Sequence, residues 1–259
     1  MVLVRNEDVF VERAVRNVVE FCDRIHAFDH VSTDATWPIL RSLADGYDNV
    51  DAQRTYHAGD SHRALEPYAG TATWVFGIDG DELYDPARLA DFRGRLLGGE
   101  FAHAFKVASN VLNCVEVDSE RKTATGYLSP PSRSITKLYN FAAIDSWVGD
   151  GSERLHGGTI TFRPGYDESS VDNISERLSW EETPLRCLHA CFVRRSSAEA
   201  EGPEGWARPI LEETGMHDRR VVGAAKRKLR RRPQPRVSAW KREKYRRGDL
   251  VTVDASPFF

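Results

Sequence analysis

The chain has 259 residues, of which 41% are hydrophobic and 29% are charged, as in an ordinary globular protein. This composition excludes a collagen-like or low-complexity chain, and no apolar run approaches the roughly 20 residues of a membrane helix. The first residues, MVLVRNED, become charged too soon for a signal peptide, so we expect a cytoplasmic protein. Four cysteines in a chain of this length do not predict a disulfide framework.

The first third of the sequence predicts strands that alternate with helices. Strands are expected at 1–4, 24–29, 50–53 and 71–79, and apolar residues at helical spacing predict helices over 7–21, 36–44 and 63–69. Strands that alternate with helices are typical of parallel βαβ units. The sequence therefore predicts an α/β fold.

The second half has a different pattern, with several strands and few helices. Alternating or apolar strand patterns occur within 106–118, 125–140 and 155–165, and they predict a mixed continuation of the same sheet. Beyond 196 the composition changes to a linker, EAEGPEG, and then to a basic segment. We expect that segment to be helical from Arg219 to Arg231 and to end before Pro233 and Pro235.

The net charge of −3 hides an uneven distribution of charge along the chain. Of the 36 basic and 39 acidic residues, 14 basic residues and one acid lie between Arg219 and Arg247. The remaining 22 basic and 38 acidic residues give the rest of the chain a net charge of −16. Such a basic segment is typical of contact with an anionic membrane surface or an acidic substrate. A solvated helical face and a clasp against the acidic body are the alternatives.

Three acids follow directly after the most apolar predicted strand, in WVFGIDGDELYDP. Ligands of parallel sheets bind at the carboxyl ends of the strands, and Gly80 permits a tight backbone path between Asp79 and Asp81. Carboxylate oxygens favour Mg²⁺ or Mn²⁺, which usually keep positions open for substrate phosphates. The pattern predicts a divalent-metal site, and the alternative is a solvated acidic turn.

This D-x-D-E segment resembles the metal motif of family 2 glycosyltransferases, in the bacterial branch whose motif reads like W-V-L-x-L-D-A-D-E. VRNEDVF and DHVSTDAT, from 4–10 and 29–36, are similar to the family's first two strand ends. The resemblance covers residues 1–195. It implies a GT-A fold, which is a Rossmann-like mixed and mainly parallel sheet flanked by helices, here followed by the basic helical extension.

The resemblance also implies a nucleotide site at the amino-terminal strand ends. Asn6 and Glu7 fall at the nucleotide edge, and Asp29 is the acid expected to hold the nucleobase, commonly uracil. Arg63 has the family's spacing ahead of the metal acids, where a guanidinium would suit a diphosphate. Asp79 belongs both to this nucleotide site and to the metal site.

The metal and catalytic positions follow from the same resemblance. Asp79 and Asp81 are the expected ligands of Mn²⁺ or Mg²⁺, and His189 is expected to close the metal or phosphate site. Glu153 is the first candidate for the catalytic base, although it follows a serine where the family has a histidine. Asp150 is the second candidate.

The implied reaction is the transfer of a sugar from a nucleoside-diphosphate sugar, with a UDP-sugar favoured, to an acceptor hydroxyl. The family inverts the sugar carbon, and the products are glycans, polysaccharides or glycolipids. We expect 1–105 to bind the donor, 106–195 to bind a glycan or lipid-linked acceptor, and 196–259 to form the basic extension. Contact of 219–247 with an anionic membrane would make the protein peripheral. No nucleic acid partner is expected.

Two other functions are consistent with parts of the sequence. A nucleotidyltransferase also combines an α/β layout with metal-binding carboxylates, but it normally has a Gly-rich, basic loop after the first strand, which VRNEDVF does not resemble. A non-catalytic module that binds a polyanion or a membrane through 219–247 would account for the basic segment. The D-x-D acids and Asp29 favour the transferase.

Overall fold

A computed structural model describes residues 1–149, 151, 155–198 and 243–259 of the chain. The predicted helix over 219–231 and both candidate bases, Asp150 and Glu153, lie outside the described residues. The predicted membrane contact through 219–247 also lies outside them, except for its last five residues. In the part of the chain that the structure describes, no helix has the length and apolarity needed to cross a bilayer.

The amino-terminal part forms the parallel unit that the sequence predicts. Its strands are β1 (Val2–Val4), β2 (Ile25–Asp29) and β3 (Val50–Arg54), in the order β1-β2-β3, and both pairings are parallel. The connections contain α1 (Val11–Arg16) and α2 (Thr36–Gly46). α1 is shorter than the predicted helix because the chain continues from Asn17 to Cys22 in turns.

The most apolar predicted strand becomes β4 (Trp74–Gly77), which lies next to the parallel unit. A parallel bridge between Val2 and Ile78 joins it to β1, so the acids after Ile78 face the carboxyl ends of the first strands. Between β3 and β4 the chain forms α3 (Asp60–Arg63) and a short 3-10 helix (Glu66–Tyr68).

The acids are followed by β5 (Glu82–Tyr84) and then by α4 (Pro86–Leu97). The sequence ELYDP explains the start of α4, because the Asp85 side chain accepts hydrogen bonds from the backbone N–H groups of Ala87 and Arg88 at 3.1 and 3.3 Å. Pro86 occupies the first helical position, where its missing N–H does not matter. Arg186 also holds the Asp85 carboxylate, at 2.8 Å.

The second half is built from mixed sheets, but these are separate sheets rather than the continuation of one sheet that the sequence predicts. Its strands are β6 (Lys106–Ala108), β7 (Val111–Asp118), β8 (Thr123–Ser129), β9 (Lys137–Asn140), β10 (Ile144–Val148), β11 (Thr159–Phe162), β12 (Val171–Asn173), β13 (Cys187–His189) and β14 (Leu250–Asp254). One sheet has the order β12-β6-β9-β4 and another has the order β14-β8-β7-β13-β5. The chain therefore passes from the four-stranded sheet to the five-stranded sheet between β4 and β5. The mixed α/β fold class is confirmed.

The carboxyl-terminal residues belong to the folded body. β14 pairs antiparallel with β8, from Leu250 opposite Tyr127 to Asp254 opposite Thr123. After it, Phe258 has no exposed surface, and its carbonyl accepts a hydrogen bond from the Asn17 side chain at 3.0 Å. The segment after the basic stretch is thus anchored beside α1 and β8.

Candidate functional site

Asp79 and Asp81 lie in the turn between β4 and β5, and Glu82, the third acid of the motif, is the first residue of β5. The backbone N–H of Glu82 donates to the carbonyl of Asp79 at 3.1 Å, which closes the turn. Asp81 and Glu82 have no exposed surface, whereas 9% of Asp79 is exposed. Asp79 is therefore the acid of the three that a bound molecule can reach directly.

A lysine on β9 lies against two of these acids. Lys137 is opposite Gly77 in the β4–β9 ladder, and its Nζ lies 3.4 Å from Asp79 Oδ2 and donates a hydrogen bond to Glu82 Oε1. Burial raises the pKa of the Glu82 carboxyl well above its ordinary value, and the positive charge of Lys137 opposes that rise. Lys137 therefore compensates the negative charge of Asp79 and Glu82.

An arginine after β13 compensates the negative charge of two further acids, Glu7 and Asp81. Arg195 Nη1 lies 2.5 Å from Glu7 Oε1 and 3.4 Å from Asp81 Oδ2, and all three residues are buried. The second oxygen of Glu7 accepts the backbone N–H of Gly80 at 2.8 Å. Glu7 thus holds the backbone of the acidic turn at Gly80, and its predicted role at a nucleotide edge stays a prediction.

The contact between Glu7 and Gly80 leaves no room for a side chain at Gly80. A Cβ there would overlap Glu7 Oε2 and lie 2.9 Å from Val4 Cγ1, so Gly80→Ala must displace the Glu7 carboxylate. We expect this variant to lose about 1–3 kcal/mol in the free energy of unfolding, measured in urea. In Gly94→Ala, by contrast, the new Cβ meets nothing within 4 Å, and helix α4 should gain up to about 1 kcal/mol. Equal stability of Gly80→Ala and the unaltered protein would contradict the tight contact.

The structure brings the predicted His189 to the same cluster. On β13 it lies opposite Glu82 of β5 and Asn113 of β7. Its Nδ1 is 2.8 Å from Asn113 Oδ1, and its Nε2 is 4.0 Å from Asp81 Oδ2. The Asn113 amide nitrogen donates to Ser132 Oγ, so the amide oxygen accepts the Nδ1–H of the imidazole. This hydrogen bond directs Nε2 towards Asp81.

The cluster suits a divalent cation that a substrate helps to hold. Among the described residues it combines four acids with Lys137 and Arg195, an excess of negative charge that a cation relieves. In that part of the chain, no group of three or more His, Cys, Asp or Glu residues forms a metal site by itself. Mg²⁺ usually binds through one or two carboxylates together with substrate phosphates, and Asp79 fits that arrangement as the acid of the turn with exposed surface, with Asp81 buried behind it.

The nucleotide-edge residues come together at the ends of β1 and β2. Asn6 Oδ1 accepts the backbone N–H of Thr33 at 2.8 Å, which ties the two strand ends together. Asp29 ends β2 as predicted, but its side chain has no exposed surface and pairs with Arg54 Nε at 2.9 Å. The Arg54 side chain is 38% exposed and lies over the Trp37 ring. Arg54 is thus the exposed member of this pair.

Arg63, which the resemblance places at the diphosphate, contacts a different acid in the structure. Arg63 is 69% exposed on α3, and its guanidinium pairs with Asp60 at 2.7 Å rather than with an acid of the motif. This short pair follows from the three-residue spacing on one helical turn. A phosphate role for Arg63 stays a prediction, because it requires the guanidinium to leave Asp60.

The segment that contains both candidate bases is anchored on each side. Before it, Gly149 donates its N–H to Glu66 Oε1 at 3.2 Å and lies against the buried His62 ring. After it, Leu155 is buried against Gly77, where an added Cβ would lie 2.9 Å from Leu155 Cδ1. Gly77 stands two residues before Asp79, so Leu155 lies close to the acidic turn.

The chain matches no protein-family model and no curated protein. Among solved structures, it is similar to S. aureus TarS 1–349 in complex with UDP, with 15% identity over 47% of this chain and 36% of that chain and a TM-score of 0.32. A second structure of S. aureus TarS 1–349 is similar at 15% identity over 55% of this chain and 47% of that chain, with a TM-score of 0.33. A further TarS structure has 16% identity over 55% of this chain and 28% of that chain, also with a TM-score of 0.33. The chain spans less than half the length of these TarS chains.

Sequence reasoning missed Lys137, Arg54 and Arg195. Lys137 had a visible signal, since it is the single charged residue in ITKLYNF, and a buried lysine nearly always has an acidic partner. Arg195 had a weaker signal, because it is one of two adjacent arginines in FVRRS and only one of them is buried. The pairing of each cation with its acid depends on contacts between distant strands.

Proposed function

We propose that the protein is a family 2-like glycosyltransferase of the GT-A type, which transfers a sugar from a UDP-sugar to an acceptor hydroxyl with inversion. The observation that carries this proposal is the acidic turn at the carboxyl end of β4. The turn is joined to β1 through the Val2–Ile78 bridge and the hydrogen bond from Gly80 to Glu7. Ligands bind at such carboxyl ends in α/β sheets.

The chemistry requires neutralisation of the charge that develops on the departing diphosphate. Asp79 and Asp81 would hold Mg²⁺ or Mn²⁺, which when bound supplies that positive charge as a Lewis acid. Lys137 orients the Asp79 carboxylate through its contact at 3.4 Å, and Arg195 orients Asp81 at the same distance. Fixed groups of this kind avoid reorganisation during the reaction, which is the basis of electrostatic catalysis.

The nucleotide would lie along the ends of β1 and β2. Asn6 and Glu7 form the edge next to the acidic turn, and Asp29 with Arg54 forms the side for the base. Because the Asp29 carboxylate is buried and held by Arg54, the pair offers the exposed guanidinium to a base and ribose, and the acid orients that guanidinium. This part of the proposal rests on the position of these residues at the carboxyl ends of β1 and β2.

Displacement with inversion needs a group that accepts the proton of the acceptor hydroxyl. Glu153 is the proposed base and Asp150 is the alternative. Two described neighbours support this choice, since Gly149 and Leu155 anchor the segment on both sides and Leu155 lies against Gly77. His189 is proposed to act at the metal or phosphate side through Asp81.

Titration calorimetry with UDP tests the donor site. We expect UDP to bind in Mn²⁺ and to bind at least about tenfold more weakly in EDTA, because charge-assisted contacts are lost. Asp79→Asn should reproduce the loss in the presence of Mn²⁺. Asp91→Asn, an exposed acid on α4, is the matched control and should bind UDP normally.

Two outcomes of that experiment would contradict the proposal in different ways. Equal UDP affinity in Mn²⁺ and EDTA would remove the metal from the mechanism and leave a nucleotide site. Absence of UDP binding by the folded protein under every condition would remove the donor site itself. If UDP binds, screening UDP-sugars for slow hydrolysis by the same protein would identify the sugar that is transferred.

A further inference from the structure

A second feature lies on the surface, between the β8–β9 loop and the residues before β14. An open cavity of about 480 Å³ is lined by Pro131, Ser132, Arg133, Lys244 and Arg247. Three of these five side chains are cationic, and they come from parts of the chain more than 100 positions apart. The fold, rather than a run of sequence, therefore brings this positive charge together.

Specific contacts hold the two walls of the cavity in place. Arg133 donates its backbone N–H to the Lys244 carbonyl at 3.0 Å, and Ser132 Oγ donates to the Tyr245 carbonyl at 2.9 Å. Gly248 has a φ of +84° and lies against Pro131, where a Cβ would approach Pro131 Cγ to 2.8 Å. Since β14 follows directly and pairs with β8, the cationic wall is part of the folded body.

The cavity is connected to the candidate site through one buried asparagine. Asn113 donates its amide N–H groups to Ser132 Oγ at 2.7 Å and to the Arg133 carbonyl at 3.0 Å. Its amide oxygen accepts His189 Nδ1, and the other nitrogen of His189 faces Asp81. The Tyr245 ring, whose centroid is 5.8 Å from that of His189, also lies between the cavity and the acids. The cavity thus borders the site on the side of the second half of the chain.

We propose that this cavity is an acceptor subsite that binds a phosphate group, and therefore that the acceptor is a phosphate ester. This inference rests on the proposed transferase function. Two guanidinium groups and an ammonium group around one cavity form charge-assisted hydrogen bonds with phosphate oxygens. The chain outside 219–247 has a net charge of −16, so an anionic acceptor needs a local group of cations next to the site, and 219–247 supplies two of them, Lys244 and Arg247.

The test measures phosphate binding separately from donor binding. Inorganic phosphate is titrated into the full chain by calorimetry or amide NMR after saturation with UDP and Mg²⁺, at low salt. We expect binding to persist in the presence of UDP and to weaken about tenfold or more in Arg133→Gln/Arg247→Gln, because two charge-assisted contacts are lost. Arg121→Gln is the matched control, since this arginine is 84% exposed in the β7–β8 turn and pairs with Asp118.

The same variants separate failure of this inference from failure of the transferase proposal. The double variant should keep its Tm and its UDP affinity, which report on the fold and the donor site. Phosphate binding that is unchanged in the double variant, or that UDP abolishes in the unaltered protein, would overturn the subsite. Absence of UDP binding would count against the donor site and leave the phosphate result to be judged on its own.

Vesicles identify the source of the phosphate ester. Phosphatidylcholine vesicles with and without phosphatidylglycerol are sedimented with the full chain and with the double variant. Loss of both vesicle and phosphate binding in the double variant supports the subsite with a lipid headgroup as its ligand. Loss of phosphate binding alone supports the subsite with a soluble phosphate ester.

Discussion

Replacing Lys137 by methionine is expected to destabilise the protein by about 3–5 kcal/mol, because removal of one partner leaves buried charge without compensation. Methionine keeps the length and the apolar stem of the side chain, so packing against β4 changes little. The loss is therefore assigned to Glu82, which has no exposed surface, and to Asp79. Urea unfolding at neutral pH measures it.

Two further variants distinguish charge compensation from simple loss of a lysine. Lys106→Met removes a lysine from the neighbouring strand β6, where Nζ lies over the Tyr139 ring at 5.4 Å, and should cost about 1 kcal/mol or less. Glu82→Gln combined with Lys137→Met removes the buried acid together with its cation, and should recover most of the lost stability. A double variant as unstable as Lys137→Met alone would show that the lysine stabilises the fold by packing.

The parts of the fold that could be predicted are those with a local signal. β1 and β2 coincide with short apolar runs, β3 contains the short strand predicted over 50–53, and the predicted strand over 71–79 contains β4. The acids after β4 could be located because a D-x-D directly after an apolar strand has a chemical meaning by itself. Their surroundings had no such signal. β5 begins at Glu82, inside the acidic run, because β13 pairs with it from a distant part of the sequence.

The carboxyl-terminal strand shows a different limit of sequence reasoning. Val251 and Val253 alternate with Leu250, Thr252 and Asp254, which is a strand pattern, and β14 has the corresponding half-buried residues. The basic residues before it dominate the composition of the region, so the sequence predicts one basic extension over 196–259, with a helix over 219–231. Whether a short alternating segment forms a strand depends on a free edge, and here β8 provides it.

The candidate site could be predicted only in part, because several of its residues have no local signal in the sequence. The sequence predicts His189 at the metal or phosphate site and Glu7 at the nucleotide edge, and in the structure both side chains lie against the acidic turn. Arg63 was assigned from spacing alone, and its guanidinium pairs with Asp60. Lys137 fills a position on β9 that only the antiparallel register with β4 brings to the acids. Register between strands depends on the whole sheet, and period-two patterns within one strand do not determine it.

Glu153→Gln is expected to lower kcat by about 10²–10⁴-fold with little change in the KM for the donor, if Glu153 removes the acceptor proton. Glutamine keeps the size of the side chain and cannot accept a proton at neutral pH. The readout is hydrolysis of the UDP-sugar that the donor screen identifies, with water as the acceptor. UDP affinity, measured in parallel, reports on the donor site alone.

Asp150→Asn is the matched variant, because it removes a carboxylate from the same segment between Gly149 and Leu155. If Glu153 is the base, Asp150→Asn should keep kcat within about tenfold of the unaltered protein, since a carboxylate that takes no proton contributes only to the local field. A large loss of kcat in Asp150→Asn with normal turnover in Glu153→Gln would exchange the two assignments. A change confined to donor KM in Glu153→Gln would place its carboxylate at the bound donor, because uniform binding affects KM without affecting the chemical step.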